Sequence, residues 1–414
     1  MRICLISREY PPETHIGGIA SYTHKTAAAL VRLGHEVHVV TAAWKPGANY
    51  EENGVQVHRL AEPRLKPREA QSLLHAKQVA GTIARIPGRL DVVQACEWGG
   101  EAFWYALAPA RRAPLVTRLA TPLFLVQRLD QHSSFGLRNM PVRVMERVQT
   151  RRSDGIISPT RALADIVCQD WKIASQRVTV VPTGMDPALV NAHADGPLPE
   201  ALRGSDYILY FGRLEERKGV QTLGAALPRV LDTYPGLKAV FVGDDMPYRG
   251  GTMREAILAM NTPYAERLLF LPRMPQPALF PIIKAARLVA LPSLWENLAN
   301  TCLEAMQLGR PVIGTRGCGF EEVIEDGLSG FLVEPGDAAA LAGRMLDALA
   351  DPVLLEQVGA SALRRMEAFS IDKMAARLAD YYAQIVARWR RAPGAMAPGG
   401  LRPEREQDSV EVAQ

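Results

Sequence analysis

The feature that most constrains this chain is a repeated alternation. Short apolar runs, rich in Val, Ile, Leu and Phe, end in Gly, Pro or a charged residue, and each is followed by a stretch long enough for a helix. Arg2 to Ser7 (RICLIS), Glu36 to Thr41 (EVHVVT), Val55–Leu60, Asp91–Ala95, Leu115–Leu119 and Asp154–Pro159 form a first set. Tyr207–Phe211, Leu237–Gly243, Leu268–Pro272, Arg287–Leu291 and Pro311–Thr315 form a second. Near-continuous apolar strands spaced by helices predict parallel sheets covered on both faces. A chain of 414 residues is too long for one ordinary domain. The stretch Asn191 to Gly204, with Pro197 and Pro199, has linker composition. The expected fold is therefore α/β, with two doubly wound, Rossmann-like units at residues 1–190 and 200–370. In the first, a helix from Ile19 to Leu33 is stopped by Gly34. The loop before it has no GxGxxG, so no dinucleotide is inferred.

Composition narrows the class. Apolar residues are 48% and charged residues 22%, as in a globular protein. The five cysteines are scattered, without CxxC or zinc spacing, which predicts reduced thiols and a cytoplasmic setting. There is no run long enough to span a bilayer. Net charge is +4, but residues 1–190 hold 24 Lys+Arg against 16 Asp+Glu. Nine arginines between Arg111 and Arg152 face only Asp130 and Glu146 before Asp154. Such a face could meet an anionic membrane or an acidic acceptor, or be a solvated helix surface. From Ala392 the chain is Pro/Gly-rich and then charged, so residues 392–414 are expected to be disordered.

Three stretches carry chemistry. In Leu291 to Glu304 (LPSLWENLANTCLE) a strand end leads through Trp295 and Glu296 into a helix bearing Glu304, expected about two turns in. N–H groups at that helix start, near Leu298, Ala299 and Asn300, form an anion seat with the helix dipole. Phe211 to Val220 (FGRLEERKGV) places Arg213 and Lys218 beside glycine turns. An arginine fork and a lysine point charge suit a pyrophosphate, where an isolated EERK turn would be mere solvated surface. Pro11 to Tyr22 (PPETHIGGIASY) follows the first strand, and Gly17-Gly18 lets the backbone approach a ligand closely.

Together, and in this order, Gly17-Gly18, Arg213 with Lys218, and Glu296 with Glu304 resemble the retaining glycosyltransferases of family 4, over roughly residues 1–390. The resemblance implies the GT-B fold: two Rossmann-like domains facing a cleft, with a final helix, residues 371–391, returning to the first. It implies transfer of a sugar from a nucleotide diphosphate sugar, a UDP-sugar before GDP-mannose. The acceptor would be a hydroxyl on a glycan, a lipid-linked sugar or a small molecule, and no nucleic acid takes part. Arg213 and Lys218 would hold the diphosphate, Glu296 the donor sugar and Glu304 the ribose. Gly17, Gly18 and the amides near Leu298, Ala299 and Asn300 would close on phosphate. Arg273 and Met274 would meet the base, with Glu97 and His15 towards the acceptor. No cofactor is expected beyond the nucleotide-sugar co-substrate. Asp244-Asp245 could suggest a metal, but no DxD follows and the resemblance implies metal-independent chemistry.

The chain departs from the pattern at one place. Pro114 to Pro122 (PLVTRLATP) resembles a strand end that in the family usually reads RLHTP, and Ala120 stands at the position of the histidine. A positioned acid/base group contributes roughly 100- to 10,000-fold. His132 is the nearest histidine downstream and reads as a loop residue. The alternatives left open are a nucleotide-sugar-binding protein with impaired catalysis and a nucleotide-sugar epimerase.

Overall fold

A computed structural model describes residues 1–12, 17–43, 49–61, 68–129 and 139–391. His15, His132 and the proposed tail 392–414 lie outside the described residues. The first half builds an eight-stranded sheet. Its strands are β1 (Arg2–Ile6), β2 (Glu36–Ala43), β3 (Tyr50–Glu52), β4 (Val55–Ala61), β5 (Val92–Cys96), β6 (Leu115–Arg118), β7 (Gly155–Ser158) and β8 (Val178–Val180). Their order is β3-β4-β2-β1-β5-β6-β7-β8, parallel except where the short β3 turns back on β4. Order reverses at β1, which pairs β2 on one side and β5 on the other. In α/β sheets a ligand crevice forms at such a switch, outside the strand C-termini.

The second half builds a six-stranded parallel sheet from β9 (Tyr207–Phe211), β10 (Lys238–Val242), β13 (Leu268–Leu271), β14 (Leu288–Ala290), β15 (Val312–Thr315) and β16 (Phe331–Val333). A two-stranded hairpin, β11 (Pro247–Tyr248) and β12 (Gly251–Thr252), stands apart from it. The order is β13-β10-β9-β14-β15-β16, with its switch between β9 and β14. Strand β9 is YILYF with every residue buried, as a central parallel strand demands.

The stretch with linker composition is ordered. Asp186 caps a helix over Pro187–His193 through Ala188 N–H at 3.0 Å, and Pro187 occupies the first turn. Val190, Ala194 and Leu202 are buried, so the segment lies against the molecule. The chain crosses back at Phe369 to Ile371, beside the first crossing: Met185 N–H donates to Phe369 C=O and Ile371 N–H to Met185 C=O, both at 2.8 Å.

The helix Ile371–Arg391 then packs on the first sheet. Its buried residues, Met374, Leu378, Tyr381, Tyr382 and Ile385 among them, follow helical spacing along one face. Tyr382 Oη donates to Gln94 Oε1 at 2.7 Å and Tyr381 Oη to Ile156 C=O at 3.2 Å. Gly155 admits the helix, since a Cβ there would lie 2.6 Å from Tyr381 Oη. Ion pairs Arg32–Asp372 and Arg390–Asp91 flank this contact, at 2.6 and 2.7 Å.

Candidate active site

The site is assembled from loops at the C-terminal ends of both sheets. After β9, Gly212 takes φ 136° and the chain runs through Arg213 to a short 3-10 turn, Glu216–Lys218. Gly219 (φ 65°) ends that turn and starts the helix Val220–Thr233. A Cβ on Gly219 would lie 1.8 Å from Pro292 C=O, so glycine is what lets this turn press on the loop after β14. Leu294 N–H donates to Arg217 C=O at 2.9 Å and seals the contact.

The result brings Lys218 and Glu296 together, 78 positions apart in the chain, as an ion pair. Arg217 stands 3.7 Å from the same carboxylate, and Ser293 Oγ lies 3.4 Å from it. Glu296 is buried. Burial pushes its carboxyl up, but Lys218, Arg217 and the hydrogen bonds of Lys218 and Ser293 outweigh this and hold it below its ordinary value. It is therefore a fixed anion and hydrogen-bond acceptor. Arg213, on the same loop, is half-exposed, and its fork reaches Glu215 at 3.1 Å.

Glu304 lies on the helix Asn300–Gln307, one turn from its start rather than two, because helical geometry begins only after Ala299. Its carboxylate accepts from Gln276 Nε2 at 2.6 Å. Burial raises its pKa, against the pull of Lys25 and the Gln276 bond. Lys25 belongs to the helix Gly18–Arg32 of the first half, so this charge acts across the cleft. No side chain caps the start of the Asn300–Gln307 helix at Ala299. Leu298 and Asn300 are half-buried beside it. Gly17 caps the helix Gly18–Arg32 with backbone alone, and a Cβ there would meet Glu9 Oε2 at 2.9 Å; Gly18 faces open space. Arg273 and Met274 follow β13, with Arg273 3.9 Å from Asp244. Asp245 accepts from Arg254 N–H at 3.0 Å.

Glu97, expected towards the acceptor, is buried behind the Ala120 main chain. It has no exposed surface, and both its oxygens accept from Ala120 N–H, at 2.9 and 2.7 Å. Burial raises its pKa to about 7, partly offset by these bonds and by Arg118. Beside it Glu146 is also buried, accepting from Gly99 N–H and Leu123 N–H at 3.0 Å each. Burial, then the Glu97 charge, raise Glu146 to about 8. Two carboxyls thus pin the loop that carries Ala120. Sequence reasoning set Glu146 among nine arginines as a surface charge. Several of those arginines have partners in the fold: Arg111 pairs Asp154 at 2.7 Å, Arg112 donates to Ile83 and Ile86 C=O, and Arg118 lies under the Tyr22 ring. Arg147, Arg151 and Arg152 are exposed. Arg217, Gln276 and Lys25 also escaped it. Only Arg217 had a signal, as the neighbour of Lys218.

Comparison with known proteins decides the family. Residues 16–189 match the model described as Glycosyltransferase Family 4, and residues 205–351 the model described as Glycosyl transferases group 1. The chain belongs to glycosyltransferase family 4. As a family 4 enzyme it takes its sugar from a nucleotide sugar. It is 26% identical to glycogen synthase of Mycobacterium tuberculosis, over 96% of this chain and 98% of the relative. It is 28% identical to D-inositol 3-phosphate glycosyltransferase of Paenarthrobacter aurescens, over 92% and 96%. Its fold is the GT-B fold. Sucrose-phosphate synthase from Thermosynechococcus elongatus superposes with TM-score 0.76 at 22% identity, covering 94% of this chain and 99% of that one. Anabaena HepE in complex with UDP-glucose gives 0.67 at 19%, covering 93% and 100%. Among the described residues no helix of this transferase is long and apolar enough to cross a membrane.

Proposed function

We propose that this chain moves a hexosyl group from a UDP-sugar to a hydroxyl acceptor, with retention at the anomeric carbon and without a metal. The observation that carries the reading is the cluster of Lys218, Arg217 and Glu296, held together by the Gly219 contact. In this reading Lys218 would meet a diphosphate while Glu296, a fixed anion beside it, would accept from sugar hydroxyls. Arg213, half-exposed on the same loop, would grip the diphosphate with Lys218. Amides near Leu298, Ala299 and Asn300 would complete the phosphate seat. Glu304 would accept from ribose hydroxyls, and the main chain at Arg273 and Met274 would meet the base. Gly17 and Gly18 would close over the donor.

Stabilising the departing diphosphate by preorganised charge is the main catalytic effect in this reading. The acceptor hydroxyl attacks from the face the diphosphate leaves. The acceptor oxygen bonds to the anomeric carbon as the bond to the phosphate oxygen breaks, and the acceptor proton passes to that phosphate. Glu296, paired with two cations, orients the sugar and forms no covalent bond. Such a course has no need of a protein base, which suits Ala120. UDP is favoured because similar folds have been solved with UDP-glucose and with UDP-2-fluoro glucose. GDP-mannose is the second donor. Exposed Arg147, Arg151 and Arg152 would serve a phosphate-bearing, lipid-linked acceptor at an anionic membrane surface. The second reading, a nucleotide-sugar-binding protein with impaired turnover, rests on Ala120.

The test is acceptor-dependent nucleotide release from UDP-glucose, UDP-N-acetylglucosamine and GDP-mannose, with Arg213→Ala alongside. A loss of about 100-fold or more in Arg213→Ala, unaffected by a chelator in the parent, is expected. Turnover that survives Arg213→Ala would sink the diphosphate assignment.

A further inference from the structure

One side chain in the cleft is committed to both halves of the molecule. Asn297 follows Glu296 on the loop of the second half, yet its Nδ2 donates to the C=O of Ala120 in the first. Its Oδ1 accepts from Thr160 Oγ1 of the first half at 3.0 Å. The Ala120 peptide is held from behind as well, because its N–H is taken by the buried Glu97 carboxyl. The approach is possible only because residue 319 is glycine: a Cβ there would fall 1.2 Å from Asn297 C=O and 3.0 Å from Thr160 Cγ2. Gly319 N–H donates to Glu296 C=O at 2.9 Å and fixes the loop's other side.

We propose that Asn297 is a positioning residue that sets the register between the two halves at the reaction cleft, by clamping the main chain of Ala120 and the Thr160 hydroxyl next to Glu296. This deepens the transferase reading and rests on it for its kinetic consequence. Position 120 has only a methyl side chain, so its contribution is made through its main chain. Glu97 holds the N–H, and the C=O accepts from the neighbouring Thr121 hydroxyl and, across the cleft, from Asn297. Because Asn297 is bonded directly to Glu296, closure of the halves places the sugar-holding carboxylate and the acceptor-side strand end in one rigid unit. A misplacement of about 1 Å at such a junction can cost on the order of 100-fold.

Aspartate at 297 discriminates this role from simple packing. It has the size of asparagine and keeps an acceptor for Thr160, but it turns a carboxylate oxygen towards Ala120 C=O, which then keeps only the Thr121 hydroxyl of its own half as donor. Charged groups around it are Glu296 with Lys218 and Arg217 on its own side, and Glu97 and Glu322 at Ala120 and Arg161 N–H. At pH 7.5 Asn297→Asp and Asn297→Ala are each expected to lower kcat roughly 10- to 100-fold, with the donor KM within about threefold. As pH falls towards 5 the Asp variant should recover relative to the parent, because a protonated carboxyl donates again, while the Ala variant should not. A donor–acceptor dye pair, one dye on each half, should report a more open molecule for both variants with UDP present, independently of turnover. An Asp variant with parental kcat and dye separation from pH 5 to 8 overturns the proposal. A parent without transferase activity but with variants that open would leave the clamp standing and remove the proposed function instead.

Discussion

The buried pair Glu97 and Glu146 makes the stability of the first half depend on pH in an unusual direction. Both groups have folded-state pKa values above the ordinary 4.5, near 7 and 8, because burial penalises their charged forms. A carboxyl raised on folding binds its proton more tightly in the native state. Its contribution is thus fully present below the unfolded pKa and is lost as pH rises through the folded one. Between pH 5 and pH 7 an unfolded glutamate is ionised and the native Glu146 is still protonated. Each pH unit in that window removes about 1.4 kcal/mol. Glu146 alone then accounts for a fall of about 3 kcal/mol, and Glu97 adds to it with the same sign. For a unit of this size that is a drop in Tm of roughly 6–12 °C. Glu146→Gln removes the titration and keeps an acceptor, at the loss of one of two hydrogen bonds, about 1 kcal/mol. Its Tm should lie below the parent at pH 5 and reach or pass it by pH 8, with a flatter profile between. Thermal melts followed by circular dichroism across pH 5–8 would show this. A parent profile that rises from pH 5 to 7, or a variant with the parental slope, would refute the burial argument.

Two further changes probe the site. Gly219→Ala must set a Cβ against Pro292 C=O at a left-handed φ, and should destabilise the second half by about 2–4 kcal/mol while weakening UDP affinity, measured by melting and by calorimetry. Ala120→His tests the missing family histidine through nucleotide release. A sharp rise would mark position 120 as the absent catalytic part; no change would mean that the parent works through its main chain there.

Parallel strands are legible because burial on both faces makes them continuous apolar runs. Tyr207–Phe211 and the helix Ile371–Arg391 read true to the residue for that reason and for the strict helical spacing of the latter. The β11–β12 hairpin and β3 did not, being short, polar and half-exposed. Gly17-Gly18, Arg213 with Lys218, and Glu296 with Glu304 are each weak signals alone, and only their order along the chain, through its resemblance to family 4, singles them out. Partners supplied by tertiary contact could not be named in advance. Nothing around Gln276 foretells that it meets Glu304, and Glu146 looked like a surface charge because its neighbours in sequence are arginines. Glu97 follows a strand end, as its sequence context implies, but a lone glutamate after an apolar run gives no sign that it will be buried under a backbone amide.

The helix that returns to the first sheet has a consequence for synthesis. Tyr382 and Ile385 complete the packing of β1, β5 and β7, yet they are made about 200 residues after β8. At roughly 5–20 residues per second, the first half waits some 10–40 seconds on the ribosome with that apolar face uncovered. Newly made chains should therefore engage holding chaperones during this interval, and fragments ending near residue 190 should be poorly soluble although they contain every strand of their sheet.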